Sequence, residues 1–382
     1  MTEVSSKPLR IAVVTGTRAE YGLLRPVMRA IGARPELALL VVAAGSHLVL
    51  PGETFREVKA DFPIAGIVPM QFAGRTGRAE DVQSVGRGIG RFGRVFEEIA
   101  PDVVVVLGDR IEAFAAASAA SIGGRGLAHI HGGDRAEGIA DEAMRHAITR
   151  LAHIHFPATR ESAERIVRMG EDAARVHMVG SPALDELPDM PMATDETWSE
   201  MGKPEVVFLM HPSRGIAAQE RELAQSVLEG LAGRRVLGLH PNLDSGREGI
   251  MEAIAARQAA HPAGLVVKGH LSRAMFVGVL KRLCAEGGVL VGNSSAGLIE
   301  AAALGLPVVD IGPRQAGRER FGNVISISGA FELAEALARA TALDRGAIVH
   351  GYGDGRSGER IAAVLAKVDV HATGFSRKRC AY

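Results

Sequence analysis

Six stretches hold residues whose types and spacing suit chemistry. In "LGDRIEAF", residues 107–114, the apolar run 103–106 ends on Asp109, Arg110 and Glu112. Acids there either cap a helix or serve a site at the carboxyl edge of a parallel sheet. "TGTRAEYG", 15–22, joins strand to helix with a glycine at the turn and Arg18 beside Glu20, which suits an anion but is not a dinucleotide fingerprint. "HIHGGDRAEGIADEAMRHAI", 129–148, sets His129 and His131 on one face of a strand and lets the chain turn at Gly132 and Gly133. Asp141, Glu142, Arg145 and His146 follow on a helix, where i,i+4 spacing describes two weak surface ion pairs. The His-x-His spacing alone does not make a zinc site, so no metal is expected.

"MHPSRG", 210–215, and "LHPN", 239–242, each place a histidine and a proline at a strand end. Equivalent positions on neighbouring strands point His211 and His240 to a shared function. "GNSSAGLIEAAALGLPVVDIGPRQAGRE", 292–319, opens on a strand-to-helix turn whose amides and hydroxyls at Asn293, Ser294 and Ser295 suit a diphosphate. Glu300 lies further along that helix, positioned for ribose hydroxyls, and Arg314, Arg318 and Arg320 follow the next strand. "GRGIGRFGR" puts Arg87, Arg91 and Arg94 on one helical face, read as a solvated or interface surface; its glycines make it a poor helix in isolation.

The elements that must position these residues alternate throughout. "RIAVVTG", "LALLVVAAG", "IAGIVPM", "DVVVVLG" and "GLAHIHGG" are continuous apolar runs, the mark of parallel strands covered on both faces. Helical patterns separate them, among them "LLRPVMRAIG", "RIEAFAAASAASIGGR", "EGIADEAMRHAITRLA" and "RESAERIVRMG". Residues 186–204, rich in Pro, Asp and Glu, read as a linker, and six more strands follow from "VVFLMHP" to "NVISIS", with helices over 218–232, 246–260 and 295–304. The expected fold class is α/β: two Rossmann-like domains, 1–185 and 205–365, facing a cleft, with 366–382 a surface tail.

Bulk properties narrow the function. A chain of 382 residues exceeds one ordinary core. Lys plus Arg equals Asp plus Glu at 44 each, so no global field favours nucleic acid or an anionic membrane, and an anionic ligand must be held by local groups. Cys284 and Cys380 alone give no disulfide framework, the N-terminus lacks an apolar signal core, and no apolar run spans a membrane. A soluble, cytoplasmic protein is expected.

Taken together, "TGTRAEYGLL", "LGDR", "HIHGGD…EGIADEAMRHAIT", "VGSPALD", "HPN" and "GNSSAGLIEAAALGLPVVDIGPRQAGRE" resemble the hydrolysing UDP-N-acetylglucosamine 2-epimerases of sialic-acid-type sugar biosynthesis. The resemblance runs from about Ile11 to Ile327. It implies a fold of the glycosyltransferase B type, a homodimer or homotetramer, no cofactor, and conversion of UDP-N-acetylglucosamine and water to N-acetylmannosamine and UDP through a glycal. It places proton transfer on Asp109 and Asp141, with Arg110 beside the substrate and His211 as a partner of the leaving diphosphate. Nucleotide contacts carry over onto Arg18, Asn242, His270, Ser294, Ser295, Glu300 and Arg314. Where the family pattern reads "HIEGGE", this chain reads "HIHGGD", so His131 takes the place of a carboxylate proposed for proton transfer; histidine does acid–base work near neutral pH. The alternatives are a UDP-2,4-diacetamido-2,4,6-trideoxyhexose or a GDP-linked sugar as substrate, a glycosyltransferase on the same scaffold, and a sugar-nucleotide binding protein with a decayed site.

Overall fold

A computed structural model describes residues 7–50, 54–75, 77–136, 141–213, 215–242, 244–269 and 271–378. Among them the strands form two parallel sheets. The first contains β1 (Leu9–Thr15), β2 (Leu37–Ala44), β3 (Ile64–Val68), β4 (Val103–Leu107), β5 (Gly126–Ile130) and β6 (Ile154–Phe156), in the order β3-β2-β1-β4-β5-β6. The second contains β7 (Val206–Leu209), β8 (Val236–Leu239), β9 (Leu265–Lys268), β10 (Val289–Gly292), β11 (Val308–Ile311) and β12 (Val324–Ile327), in the order β12-β11-β10-β7-β8-β9. Both orders are the doubly wound one, which reverses direction at β1/β4 and at β7/β10.

The continuous apolar runs follow from this architecture. On β1, Ile11 and Val13 enter one core while Ala12 and Val14 enter another on the opposite face. On the second sheet, Val206 and Phe208 face one cluster and Val207 and Leu209 another. Helices α1 (Arg18–Gly32), α2 (Phe55–Asp61), α3 (Arg78–Ile99), α4 (Ile111–Ile122), α5 (Asp141–Leu151) and α6 (Arg160–Arg168) belong to the first sheet's unit. Helices α7 (Asp195–Glu200), α8 (Ala217–Gly230), α9 (Arg247–Ala260), α10 (Arg273–Ala285), α11 (Ser295–Leu298), α12 (Glu300–Ala303) and α13 (Leu333–Thr341) belong to the second. None of the described helices is long and apolar enough to cross a membrane.

Four expectations change. The second unit ends at Tyr352, because α14 (Ser357–Leu365) carries Ile361, Ala362 and Leu365 into the first unit's core beside Leu24 and Val27. Residues 366–378 are no loose tail, since Val368, Val370 and Phe375 pack against that same core. The supposed linker holds α7, whose Trp198 is buried in the second unit. The glycine-rich stretch is helical as expected, within α3, but its face is not simply solvated: Gly88 packs so closely that a Cβ would lie 2.9 Å from Ala115 Cβ, and Arg87 Nε donates to the Met70 carbonyl at 3.0 Å.

Candidate active-site residues

In the first unit, the loops after β1 and β4 flank the switch point, where open parallel sheets place their ligands. Asp109 follows β4. It caps no helix: Arg110 holds the N-cap position of α4 without a side-chain bond. Its partner is Arg145 of α5, whose Nη2 donates to Asp109 Oδ2. Arg145 is only 2% exposed, so the i,i+4 reading of it as a surface residue is overturned. Its Nη1 donates to Glu142 Oε2 at 2.6 Å and to the Asp134 carbonyl at 3.2 Å. Glu142 Oε1 also lies 3.2 Å from His146 Nε2. A buried guanidinium is tolerable only with such partners. Asp141 opens α5, but its side chain lies outside the described residues, as does all of His270.

His131 does not share the strand face of His129. It falls just beyond β5 with φ at +62°, a left-handed conformation rare outside glycine. Its Nδ1 lies 2.8 Å from Asp134 Oδ2 and its Nε2 lies 3.0 Å from Ser181 Oγ. His129 is fully buried against the Gly108 carbonyl (2.7 Å), and burial pushes its pKa down to about 3. It is a neutral core histidine. His153 and His155 are likewise structural: the Leu127 amide donates to His153 Nδ1 at 3.1 Å, and His155 Nε2 lies 3.1 Å from Glu171 Oε2.

After β1, Thr17 caps α1 by accepting from the Glu20 amide at 3.3 Å, and Glu20 Oε2 accepts from the Gly16 amide at 2.8 Å. Arg18 stands half-exposed, 3.9 Å from Glu57, with a buried Nε that no hydrogen bond satisfies. Beneath the turn, Glu112 is fully buried, 3.9 Å from Arg110 Nε. Burial pushes Glu20 up to about 8 and raises Glu112 as well.

In the second unit, the loops after β7 and β10 meet in one hydrogen-bonded cluster at the other switch point. The His211 amide donates to Asn293 Oδ1 at 2.7 Å and Asn293 Nδ2 returns a bond to the His211 carbonyl at 2.9 Å. The Asn242 amide donates to His211 Nδ1 at 3.1 Å, which fixes the proton of the neutral ring on Nε2. That Nε2 lies 3.3 Å from Ser294 Oγ. Arg314 bonds the Asn293 carbonyl at 3.1 Å and the Pro212 carbonyl at 3.3 Å. Asn242 Oδ1 is buried with no hydrogen-bond partner. Gly292, at φ +153°, permits the turn, because a Cβ there would lie 1.9 Å from the Leu209 carbonyl oxygen.

The helix expected over 295–304 is broken at Ile299 into α11 and α12, each one turn long. Glu300 opens α12, nearly buried, with Oε1 3.2 Å from Arg273 Nη1. Among the described residues His240 does not join this cluster's hydrogen bonds; it is half-buried, and burial lowers its pKa. Sequence reasoning passed over Arg273 and Ser162, for which it held no local signal, and did not single out Ser181 and Gln315 within the motifs "VGSPALD" and "GPRQAGRE" that contain them. Gln315 Nε2 donates to the Asn293 carbonyl at 3.0 Å.

Comparison with known proteins agrees with this layout. The family described as UDP-N-acetylglucosamine 2-epimerase matches residues 29–366. A hydrolysing UDP-N,N'-diacetylbacillosamine 2-epimerase of Legionella pneumophila is 36% identical, covering 95% of this chain and 97% of the relative. A UDP-N-acetylglucosamine 2-epimerase of Neisseria meningitidis is 31% identical, covering 83% of each. The solved structure of the Methanocaldococcus jannaschii UDP-GlcNAc 2-epimerase, in complex with UDP-GlcNAc and UDP, is 18% identical. It superposes with a TM-score of 0.77 over 94% of this chain and 99% of that one. Two parallel α/β units in series are thus the glycosyltransferase B type of fold.

Proposed function

As the chain belongs to the UDP-N-acetylglucosamine 2-epimerase family, we propose that it is a hydrolysing 2-epimerase of a UDP-linked 2-acetamido sugar. The observation that carries the reading is the cluster of His211, Asn293, Ser294 and Arg314 at the second switch point. Ser294 Oγ stands within reach of both His211 Nε2–H and the Ala296 amide (3.4 Å). With both lone pairs taken, its own hydrogen is left to donate to a phosphate oxygen. Arg314 supplies charge and Ser295 a second hydroxyl, which together stabilise a departing diphosphate. Glu300 takes the ribose hydroxyls.

The chemistry then needs acids and bases at the sugar. As the anomeric C–O bond breaks, its electron pair leaves with UDP and the C2 proton becomes removable. That C–H pair forms the C1=C2 bond of a glycal. Water adds its oxygen at C1, and a proton returns to C2 from the other face. Asp109, Asp141 and His131 of the first unit are assigned to these transfers, each step worth roughly 10²–10⁴-fold. Arg110 and Arg18 stand beside the substrate's anionic part.

For the sugar, similarity along nearly the whole chain to a diacetylbacillosamine enzyme puts the UDP-linked 2,4-diacetamido-2,4,6-trideoxy sugar first. UDP-N-acetylglucosamine, first in the sequence-based expectation, is the second reading and is favoured by the Neisseria relative. Either product would serve sialic-acid-type sugar biosynthesis. Proton NMR in D₂O with each nucleotide sugar tests the proposal. Free UDP together with the 2-epimerised sugar deuterated at C2 is the expected result. A transferred sugar, or no deuterium at C2, would reject it.

A further inference from the structure

We propose that Asp134 is a positioning residue for His131, the two forming a single proton-transfer unit whose working atom is His131 Nε2. This rests on the role given to His131 above. The turn that carries them holds His131 at φ +62°, a costly conformation for a residue with a side chain, and Gly133 at φ +76°, which glycine adopts freely. A Cβ on Gly133 would lie 2.3 Å from the Ser162 carbonyl oxygen, so the turn is pressed onto α6. Arg165 of α6 donates to the Gly133 carbonyl and Arg145 of α5 to that of Asp134. A strained conformation fixed from two helices is a feature of functional sites.

Hydrogen-bond bookkeeping then sets the protons. Asp134, 4% exposed, receives Ser162 Oγ–H on Oδ1 at 2.8 Å and faces His131 Nδ1 with Oδ2 at 2.8 Å. Thr159 Oγ1 donates to Ser162 Oγ at 3.1 Å, which directs the serine hydrogen to the carboxylate. A carboxylate only accepts, so Nδ1 carries the ring proton and Nε2 the lone pair. At rest that lone pair takes the hydroxyl of Ser181, whose Oγ already accepts from the Ala183 amide at 3.2 Å. This gives the "VGSPALD" motif a task in the site.

The same arginine that carries Asp109 fixes the Asp134 backbone, so both proton-transfer stations hang on one guanidinium. When Nε2 accepts the C2 proton, the C–H electron pair becomes the C1=C2 bond and the C1–O pair leaves with UDP. The imidazolium so formed faces the Asp134 carboxylate. Among the described residues, the titratable and charged groups around it are Asp134 on the turn, His129 on β5, Arg145 on α5 and Arg165 on α6.

The test uses the full chain and whichever nucleotide sugar it hydrolyses. Asp134→Asn keeps the shape and removes the charge. We expect kcat to fall tenfold or more, KM and UDP affinity to stay within twofold, and the acidic limb of the kcat profile to move to lower pH. Ser162→Ala is the milder variant; it leaves the carboxylate with one donor fewer, and the limb should move to higher pH. His131→Gln separates the two layers. Full turnover in His131→Gln would remove the role of His131 itself. An inactive His131→Gln with an unmoved limb in both other variants would overturn the positioning role of Asp134 alone.

Discussion

Arg145 ties together three residues assigned above to the proposed site or its support. Its spacing from Asp141 describes a surface pair, yet it is buried and spends its donors on Asp109, Glu142 and the Asp134 backbone. Asp109 stood out in the sequence because a charged residue closely follows a four-valine strand. Its partner did not, because a helix residue's third-dimension neighbours are set by packing and not by spacing. Asp109→Asn should leave UDP affinity unchanged by calorimetry and reduce turnover by roughly 10²-fold or more; unchanged turnover would remove Asp109 from the mechanism. At the proposed nucleotide end, Glu300 is held by Arg273. Glu300→Ala should weaken UDP binding about tenfold, the worth of one charge-assisted hydrogen bond. The loss should vanish with 2',3'-dideoxy-UDP, which has no hydroxyls to offer. Equal losses on both ligands would move Glu300 away from the ribose.

Elements were the most legible level, since buried parallel strands read as unbroken β-branched runs and both sheets follow that rule. What sequence could not supply was membership. The period of α14 marks a helix but does not say which core it completes, and its anchor lies 172 residues upstream in the chain. Asp185, at the end of "SPALD", accepts from the amides of Ser357 and Gly358 at 2.9 and 2.6 Å. Two orphan amides of the first helical turn are thereby satisfied. Asp185→Ala should destabilise the first unit by about 1–2 kcal/mol, read as a lower urea midpoint for its transition. Asp185→Asn, which keeps one acceptor, should lose less. Equal stability of Asp185→Ala and the parent would mean that α14 is held by its apolar face alone. The break at Ile299 was illegible for a related reason: around it "LIEAAAL" has helical propensity, and tertiary packing overrides it.

Across the whole molecule, equal numbers of acids and bases hide a buried minority whose protonation links stability to pH. His129, His47 and His153 are pushed by burial to about 3, about 4 and about 4, below their ordinary 6.5. The unfolded chain therefore takes up their protons first, and stability falls as pH drops below 6.5. Glu20 runs the other way. Burial and the nearby Glu112 raise it from 4.5 to about 8, so the folded chain holds a proton that the unfolded chain releases. Its contribution is present in full at low pH and is lost as pH rises from about 4.5 through 8. The two limbs overlap between about 4.5 and 6.5, where three histidines outweigh one glutamate, so these groups leave stability greatest near pH 6.5. Glu20→Gln supplies the neutral form permanently and keeps an acceptor for the Gly16 amide. Relative to the parent, the variant should gain stability steadily from pH 5 to pH 8 and no further above it, as measured by thermal unfolding in matched buffers. Parallel pH profiles for the two proteins would mean that Glu20 folds in its charged form. The β1–α1 turn, with Arg18 at its tip, would then rest on a buried carboxylate instead of a carboxylic acid.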